Sequence, residues 1–110
     1  MNAKLSLTET SIMEHNPSPI MIVDLEGGLK YLNPASRSFL LKRGLDSSNY
    51  AEILPPNFLD IILNCKEAEV TIPVTRIEYP EGVLLWTAFF GESMHNVIYQ
   101  GVDITRLHRN

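Results

Sequence analysis

Few side chains here could act as nucleophiles or metal ligands: the chain has one cysteine, Cys65, and three histidines, His15, His95 and His108. His15 precedes a proline-rich break, His95 falls in a turn and His108 in the tail. No helix or strand therefore brings two of them together at ligand spacing, and no metal site is expected. Nothing near Cys65 lowers its pKa, so it reads as a small buried hydrophobe rather than a reactive thiol. Asp24 and Glu26 are close in sequence, but the turn after a strand holds carboxylates in water. No Ser-His-Asp set, paired-carboxylate motif, glycine-rich phosphate loop or Cys-His cluster is present, so catalysis is not expected of this domain.

The totals set the scale. A chain of 110 residues that is 45% hydrophobic and 20% charged supports one core and is too short for two. Its net charge of -4 and pI near 5.2 supply no field to gather phosphates, so direct nucleic-acid binding is not expected. One cysteine permits no internal disulfide, which suits a reducing compartment. The opening MNAKLSLTETSIMEH lacks the apolar core and the cleavage site of an export signal. No window approaches the length of apolar sequence that spans a bilayer, so no direct membrane insertion is expected. The expectation is a cytoplasmic domain.

Any site must be positioned by the elements. Residues 4 to 15, with Leu5, Leu7, Ile12 and Met13 among polar neighbours, read as a short amphipathic helix, with Thr8, Thr10 and Ser11 as candidate caps. Pro17 and Pro19 stop it. IMIVDL and LKYLN read as strands joined at Gly27-Gly28, a hairpin. Asn33 then stands as the cap of a helix, with Pro34 at the first position, where its missing N–H costs nothing. That helix runs to about Arg43, with Ala35, Phe39, Leu40 and Leu41 on its apolar stripe and Gly44 as its stop. YAEIL and NFLDIILNC read as two further helical pieces, the second lying against the core. From Ala68 the period changes to two. Val70, Ile72 and Val74 stand on one phase and Ile77 and Tyr79 on the other, which predicts a bulge or bend near Thr75-Arg76; Pro73 marks an edge strand or the start of a bent segment. VLLWTAFF and VIYQGVDIT complete five strands. Asp103 or Thr105 could cap a helix running off the end.

This order resembles the PAS fold. NPSPIMIVDLEGGLKYLNPASRSFL resembles the family's opening, with a strand ending at Asp24, a glycine turn and an Asn-Pro-Ala helix start. Gly82, Trp86 and the closing Asp103-Ile104-Thr105 resemble its ending. The resemblance implies an α+β domain, a five-stranded antiparallel sheet with short helices over one face and an N-terminal flanking helix. It divides the chain into a flanking helix at 1–16, the PAS domain at 17–105 and the start of a signalling linker at 106–110. It also implies a signal-relay junction at Asp103 and Thr105; alternatively Asp103 merely caps a surface helix.

The resemblance makes cofactor chemistry testable. Flavin photoreceptors of the family carry a motif resembling Gly-x-Asn-Cys-Arg-Phe-Leu-Gln. Here Asn64-Cys65 is followed by Lys66-Glu67-Ala68, so the motif fails. Haem-binding members use a histidine on the long helix before the third strand, and PPNFLDIILNC has none. Residues Leu45 to Glu67 are a short cover, because a helix of about ten residues reaches only about 15 Å. Neither haem nor photoactive flavin is expected. The expectation is a small apolar or weakly polar ligand, or no cavity.

Leu54, Phe58, Ile62, Trp86 and Tyr99 are the candidate pocket wall, on the ground that they offer apolar surface and two polar tips. The same residues also suit a plain core, and Trp86 could face the outer side of the sheet. VLLWTAFF is apolar on both faces, which predicts a homodimer through the outer face or cover by the N-terminal helix. Such a module is expected to sense a small molecule and pass the change to a covalently attached output domain: a histidine kinase of a two-component system, a cyclic-dinucleotide enzyme or a regulator of transcription. The alternative is a ligand-free homodimerisation module.

Overall fold

The computed structural model describes residues 7–68, 72–80, 82–91 and 95–105. An N-terminal helix α1 (Leu7–His15) is followed by strands β1 (Ile20–Asp24) and β2 (Leu29–Leu32). Helix α2 (Pro34–Lys42), a 3-10 helix (Ser47–Glu52) and helix α3 (Phe58–Ala68) come next, and then strands β3 (Ile72–Tyr79), β4 (Gly82–Gly91) and β5 (Asn96–Asp103). The five strands form one sheet in the order β2-β1-β5-β4-β3, antiparallel throughout. This is the expected PAS-like α+β fold. Among the described residues, no helix is long and apolar enough to cross a membrane.

Asn33 starts the helical cover as its sequence position predicts, and does more. Its side chain is fully buried, and Oδ1 accepts from the Ser36 amide at 3.0 Å and from the Ile20 amide at 2.9 Å. Nδ2 donates to the Met13 carbonyl at 2.9 Å and the Ser18 carbonyl at 3.0 Å. One amide thus joins α1, the connecting segment, β1 and α2, and its donors and acceptor are all used. Ser36, also buried, lies beside it with its hydroxyl 3.0 Å from the Ile20 carbonyl.

Several local details depart from the sequence reading. Ser36, Phe39 and Leu40 form the buried face of α2, Ser36 being tolerated there because Asn33 and Ile20 take up its hydroxyl, while Leu41 is 63% exposed. Gly44, at φ +74, does end the helix, and in the β1–β2 turn Gly27 alone takes positive φ. Thr8, Thr10 and Ser11 lie inside α1 rather than capping it, and Ile12 is 62% exposed. The helical turn expected at YAEIL begins earlier, because Asp46 accepts from the Ser48 amide while Asn49 returns a bond to the Asp46 amide. On α3, Ile61 and Ile62 are buried while Leu59 and Leu63 stay exposed. The bulge in β3 falls between Ile72 and Thr75, next to the expected place, and β3 is an edge strand as Pro73 requires.

Leu84, Trp86 and Ala88 of β4, with Val97 and Tyr99 of β5 and Met21 and Val23 of β1, point to the helices and share one core with Phe39, Leu40, Ile53 and Ile62. The opposite face carries the cross-strand pairs Leu85–Val102 and Phe89–Ile98. On that face the Tyr31 hydroxyl donates to the Glu14 carboxylate of α1 at 2.9 Å.

The Asn33 hub predicts a specific loss. Asn33→Ala removes the cap and strands the buried Ile20 N–H, and should cost about 3 kcal/mol of unfolding free energy. Asn33→Asp keeps the accepting oxygen but turns the donor into a charged oxygen facing two carbonyls, and should cost at least as much at neutral pH. Urea denaturation reads both; a loss under about 1 kcal/mol for Asn33→Ala would remove the hub from this account.

Candidate functional site

The five candidate wall residues come together between the sheet and the helices. Leu54, Ile62, Trp86 and Tyr99 are buried in the common core and Phe58 packs against it. Trp86 faces inward. Its ring lies over its cross-strand partner Gly101, where an added Cβ would stand 3.1 Å from three ring atoms. Gly101 is therefore part of the indole seat, a role that no sequence signal singled out.

The polar tips in this region are spent inside the chain. Trp86 Nε1 donates to the Tyr79 hydroxyl at 2.7 Å, and that hydroxyl donates to the Ile53 carbonyl in the loop before α3. The Tyr99 hydroxyl donates to the Phe58 carbonyl at 2.5 Å. Tyr79 is gripped from two further sides: Phe39 meets it edge-on with centroids 5.1 Å apart, and the Arg43 guanidinium stands 5.3 Å from its ring centroid. Burial pushes the Tyr79 phenol up to about 12, against the opposing pull of the Trp86 bond and the Arg43 charge. The space bounded by Pro55, Ile61, Thr75, Trp86, Ala88 and Tyr99 has no room for a water molecule.

Asp103 and Thr105 form a second constellation at the end of β5. Asp103 Oδ1 accepts from the Thr105 amide at 2.9 Å and from the Thr105 hydroxyl at 2.5 Å, the geometry of a helix cap. The same hydroxyl accepts from the Val83 amide at 3.0 Å, and the Ile104 amide donates to the Val83 carbonyl at 3.0 Å. The outgoing chain is thereby clasped to the start of β4. Gly82 makes the clasp sterically feasible, because a Cβ there would collide with the Thr105 hydroxyl. Sequence reading joined Asp103 and Thr105 as one junction and named Gly82 in the same ending, but gave no contact that ties Gly82 to them.

The remaining candidates stay apart. Asp24 builds the hairpin turn, its Oδ1 accepting from the Glu26 and Gly28 amides at 2.9 and 2.8 Å. His15 Nδ1 lies 2.9 Å from the Ser11 carbonyl, and His95 is exposed in the β4–β5 turn at φ +54. Among the described residues, no three of His, Cys, Asp and Glu group as a metal site would require. The side chain of Cys65 and all of His108 lie outside the described residues.

Two measurements follow from these contacts. Tyr79 and Tyr31 both have phenols raised from 10.0 to about 12, Tyr31 by burial first and then by its bond to Glu14. A raised phenol stays protonated in the fold while the unfolded chain would ionise, so its contribution is whole below pH 10.0 and is lost as pH climbs towards about 12. Tyr79→Phe should flatten that alkaline fall and cost about 2 kcal/mol at neutral pH, by stranding the indole N–H and the Ile53 carbonyl. Urea melts across this range read both effects, and an unchanged alkaline slope would contradict the buried phenol. At the clasp, Gly82→Ala should cost about 2 kcal/mol. Combined with Thr105→Ala it should cost less than the sum, with a coupling above about 0.5 kcal/mol. Strict additivity would separate the two residues.

Comparison with solved structures places the fold. Over 99% of its length, at 15% identity and a TM-score of 0.59, the chain is similar to part of a chain described as an RNA-binding light-oxygen-voltage receptor. It spans 38% of that receptor's chain. No family model matches the sequence, and no curated protein matches it. At this identity the likeness is one of fold: a PAS-like sheet with its short helical cover.

Proposed function

We propose that this chain is a PAS-type regulatory module of a signalling protein, acting as a homodimer and passing its state through the Asp103–Thr105 clasp to an attached output domain. The observation that carries the proposal is the closed core. Trp86, Tyr79 and Tyr99 spend their polar tips on the chain's own atoms, and the space bounded by Pro55, Ile61, Thr75, Trp86, Ala88 and Tyr99 admits no water. Such a core suits a module that works through packing and pairing, without haem or photoactive flavin. The outer face of the sheet supports the pairing, because Leu85–Val102 and Phe89–Ile98 put apolar pairs opposite the core, with Val102 41% exposed. The solved receptor is described as an RNA-binding light-oxygen-voltage receptor; the net charge of -4 argues against carrying RNA binding over, and the failed flavin motif argues against photoactive flavin here.

A small organic ligand inside the core is the second reading. It is favoured by the Trp86–Tyr79 pair, an indole donor and a phenol that could exchange partners with a polar guest. Light scattering on a sizing column at tens of micromolar should return a dimer. Val102→Glu, on a side chain already exposed in the single chain, should weaken the dimer at least tenfold while leaving the fold intact. A monomeric parent protein would overturn the pairing. Native mass spectrometry and an absorption spectrum divide the two readings: no retained compound fits the closed core, and a stoichiometric small molecule fits the second. A flavin or haem band would overturn both.

A further inference from the structure

We infer that the helical layer of one copy docks on that of a second, the basic, leucine-bearing face of α2 meeting the acidic, leucine-bearing face of α3. This contact lies on the side of the domain opposite the sheet-face pairing proposed above and does not depend on it.

Among the described residues, the large apolar side chains left exposed are Ile12, Leu41, Leu59, Leu63 and Val102. Three of them stand on the helical cover, in two patches of opposite charge. On α2, Leu41 follows Arg37 by one turn and adjoins Lys42, and both cations are exposed. On α3, Leu59 and Leu63 stand one turn apart, and the exposed Asp60 adjoins Leu59. Leu59 also lies against the β1–β2 turn, where a Cβ on Gly27 would stand 2.6 Å from its Cδ2, and the exposed Glu26 precedes that glycine. Isolated exposed leucines are ordinary. Leucines framed by charges of a single sign in each patch are a more specific arrangement.

The charges decide which surfaces meet. Arg37, Lys42, Glu26 and Asp60 have no ion-pair partner among the described residues. Two copies joined α2 to α2 would set cations on cations, and joined α3 to α3 would set acids on acids. Only α2 against α3 covers all three leucines while pairing two cations with two acids. Both helices cover the same face of the sheet, with Leu40 and Ile62 in one core. A two-fold axis therefore forms the contact twice and closes the pair.

The patches are also held in place before they meet. Asn33 fixes the start of α2, and the Tyr99 hydroxyl holds the first residue of α3 through the Phe58 carbonyl. The leucines supply affinity and the charges supply register. Surfaces this small give a weak contact, with a Kd of about 0.1 to 1 mM.

The test uses the full chain carrying Val102→Glu, which removes the sheet-face pairing, in sedimentation runs at low salt from about 20 µM to about 1 mM. The average mass should climb from monomer towards dimer, and ionic strength of about 0.5 M should weaken the association at least threefold. Arg37→Glu with Lys42→Glu makes both patches acidic, and Glu26→Lys with Asp60→Lys makes both basic. Each double variant alone should stay monomeric, and an equimolar mixture should recover a dimer of one with the other. Leu63→Ser, at an exposed position, should weaken association at least threefold without lowering the melting temperature. A Val102→Glu chain that stays monomeric at about 1 mM, indifference to salt, or self-association persisting in either double variant would overturn the assignment. So would a mixture of the two folded variants that stays monomeric. Should a double variant lose its fold, Leu63→Ser decides, and unchanged association there would overturn the contact. The mass of the unsubstituted chain at tens of micromolar reports the sheet-face pairing separately, so the two readings fail independently.

Discussion

The fold depends on a single buried amide. In water, Asn33 would lose nothing by solvating its donors and acceptor; buried, it is tolerable only because every one is answered. The partners are backbone groups of four segments, with Ile20 and Ser36 donating to its oxygen and Met13 and Ser18 accepting from its nitrogen. The requirement to satisfy one side chain therefore fixes where the first strand starts, where the helical cover starts and where the N-terminal helix ends. Ser36 is buried for the same reason, since its hydroxyl completes the polar shell. A hydrophobe at position 33 could fill the volume but could not position the segments relative to one another.

Much of this was legible because the deciding signals are local. Asn33-Pro34 announces a helix start, the change to a period of two announces β3, and its phase change together with Pro73 announces an edge strand with an irregular register. The misreadings have a common origin in pattern counted without geometry. Leu41 reads by residue type as part of an apolar stripe, and NFLDIILNC as a piece lying against the core, yet Leu41, Leu59 and Leu63 are all exposed. The turn after Gly44 was placed at the hydrophobic YAEIL, although Asp46 and Asn49 carry the reciprocal cap that starts it earlier. The candidate wall was harder to read. Whether Trp86 and Tyr99 line a cavity or fill it is decided by Gly101, Tyr79 and two backbone carbonyls, contacts between residues far apart in sequence.

Those contacts explain how the space beside Trp86 and Tyr99 is closed to water. Indole and phenol are worth burying for their area, but each brings one polar atom that must find a partner. Trp86 and Tyr79 solve this jointly, and the Ile53 carbonyl closes the chain, so the loop before α3 is drawn down onto the sheet. The Tyr99 hydroxyl does the same to the first residue of α3 through the Phe58 carbonyl. The hydrogen bonds that satisfy the aromatics are thus the ones that pull the cover shut. Size and closure have one cause.

The antiparallel pairing of β1 with β5 gives the two ends of the domain a common address. Ile20, at the start of β1, pairs with Gln100 near the end of β5, and the Gly101 amide donates to the Pro19 carbonyl at 2.8 Å. Whatever precedes Ile20 must then lie beside whatever follows Gln100. Pro17 and Pro19 keep the incoming segment extended and stiff, while Asp103 and Thr105 tie the outgoing one to Val83. A displacement of α1 would act on Asn33 and hence on α2, which flanks the same junction. A displacement of the outgoing chain would act on β4, which carries Trp86. The two ends are coupled to each other through the Gly101–Pro19 bond and the β1–β5 ladder, and to the core through Asn33 and the Val83 clasp.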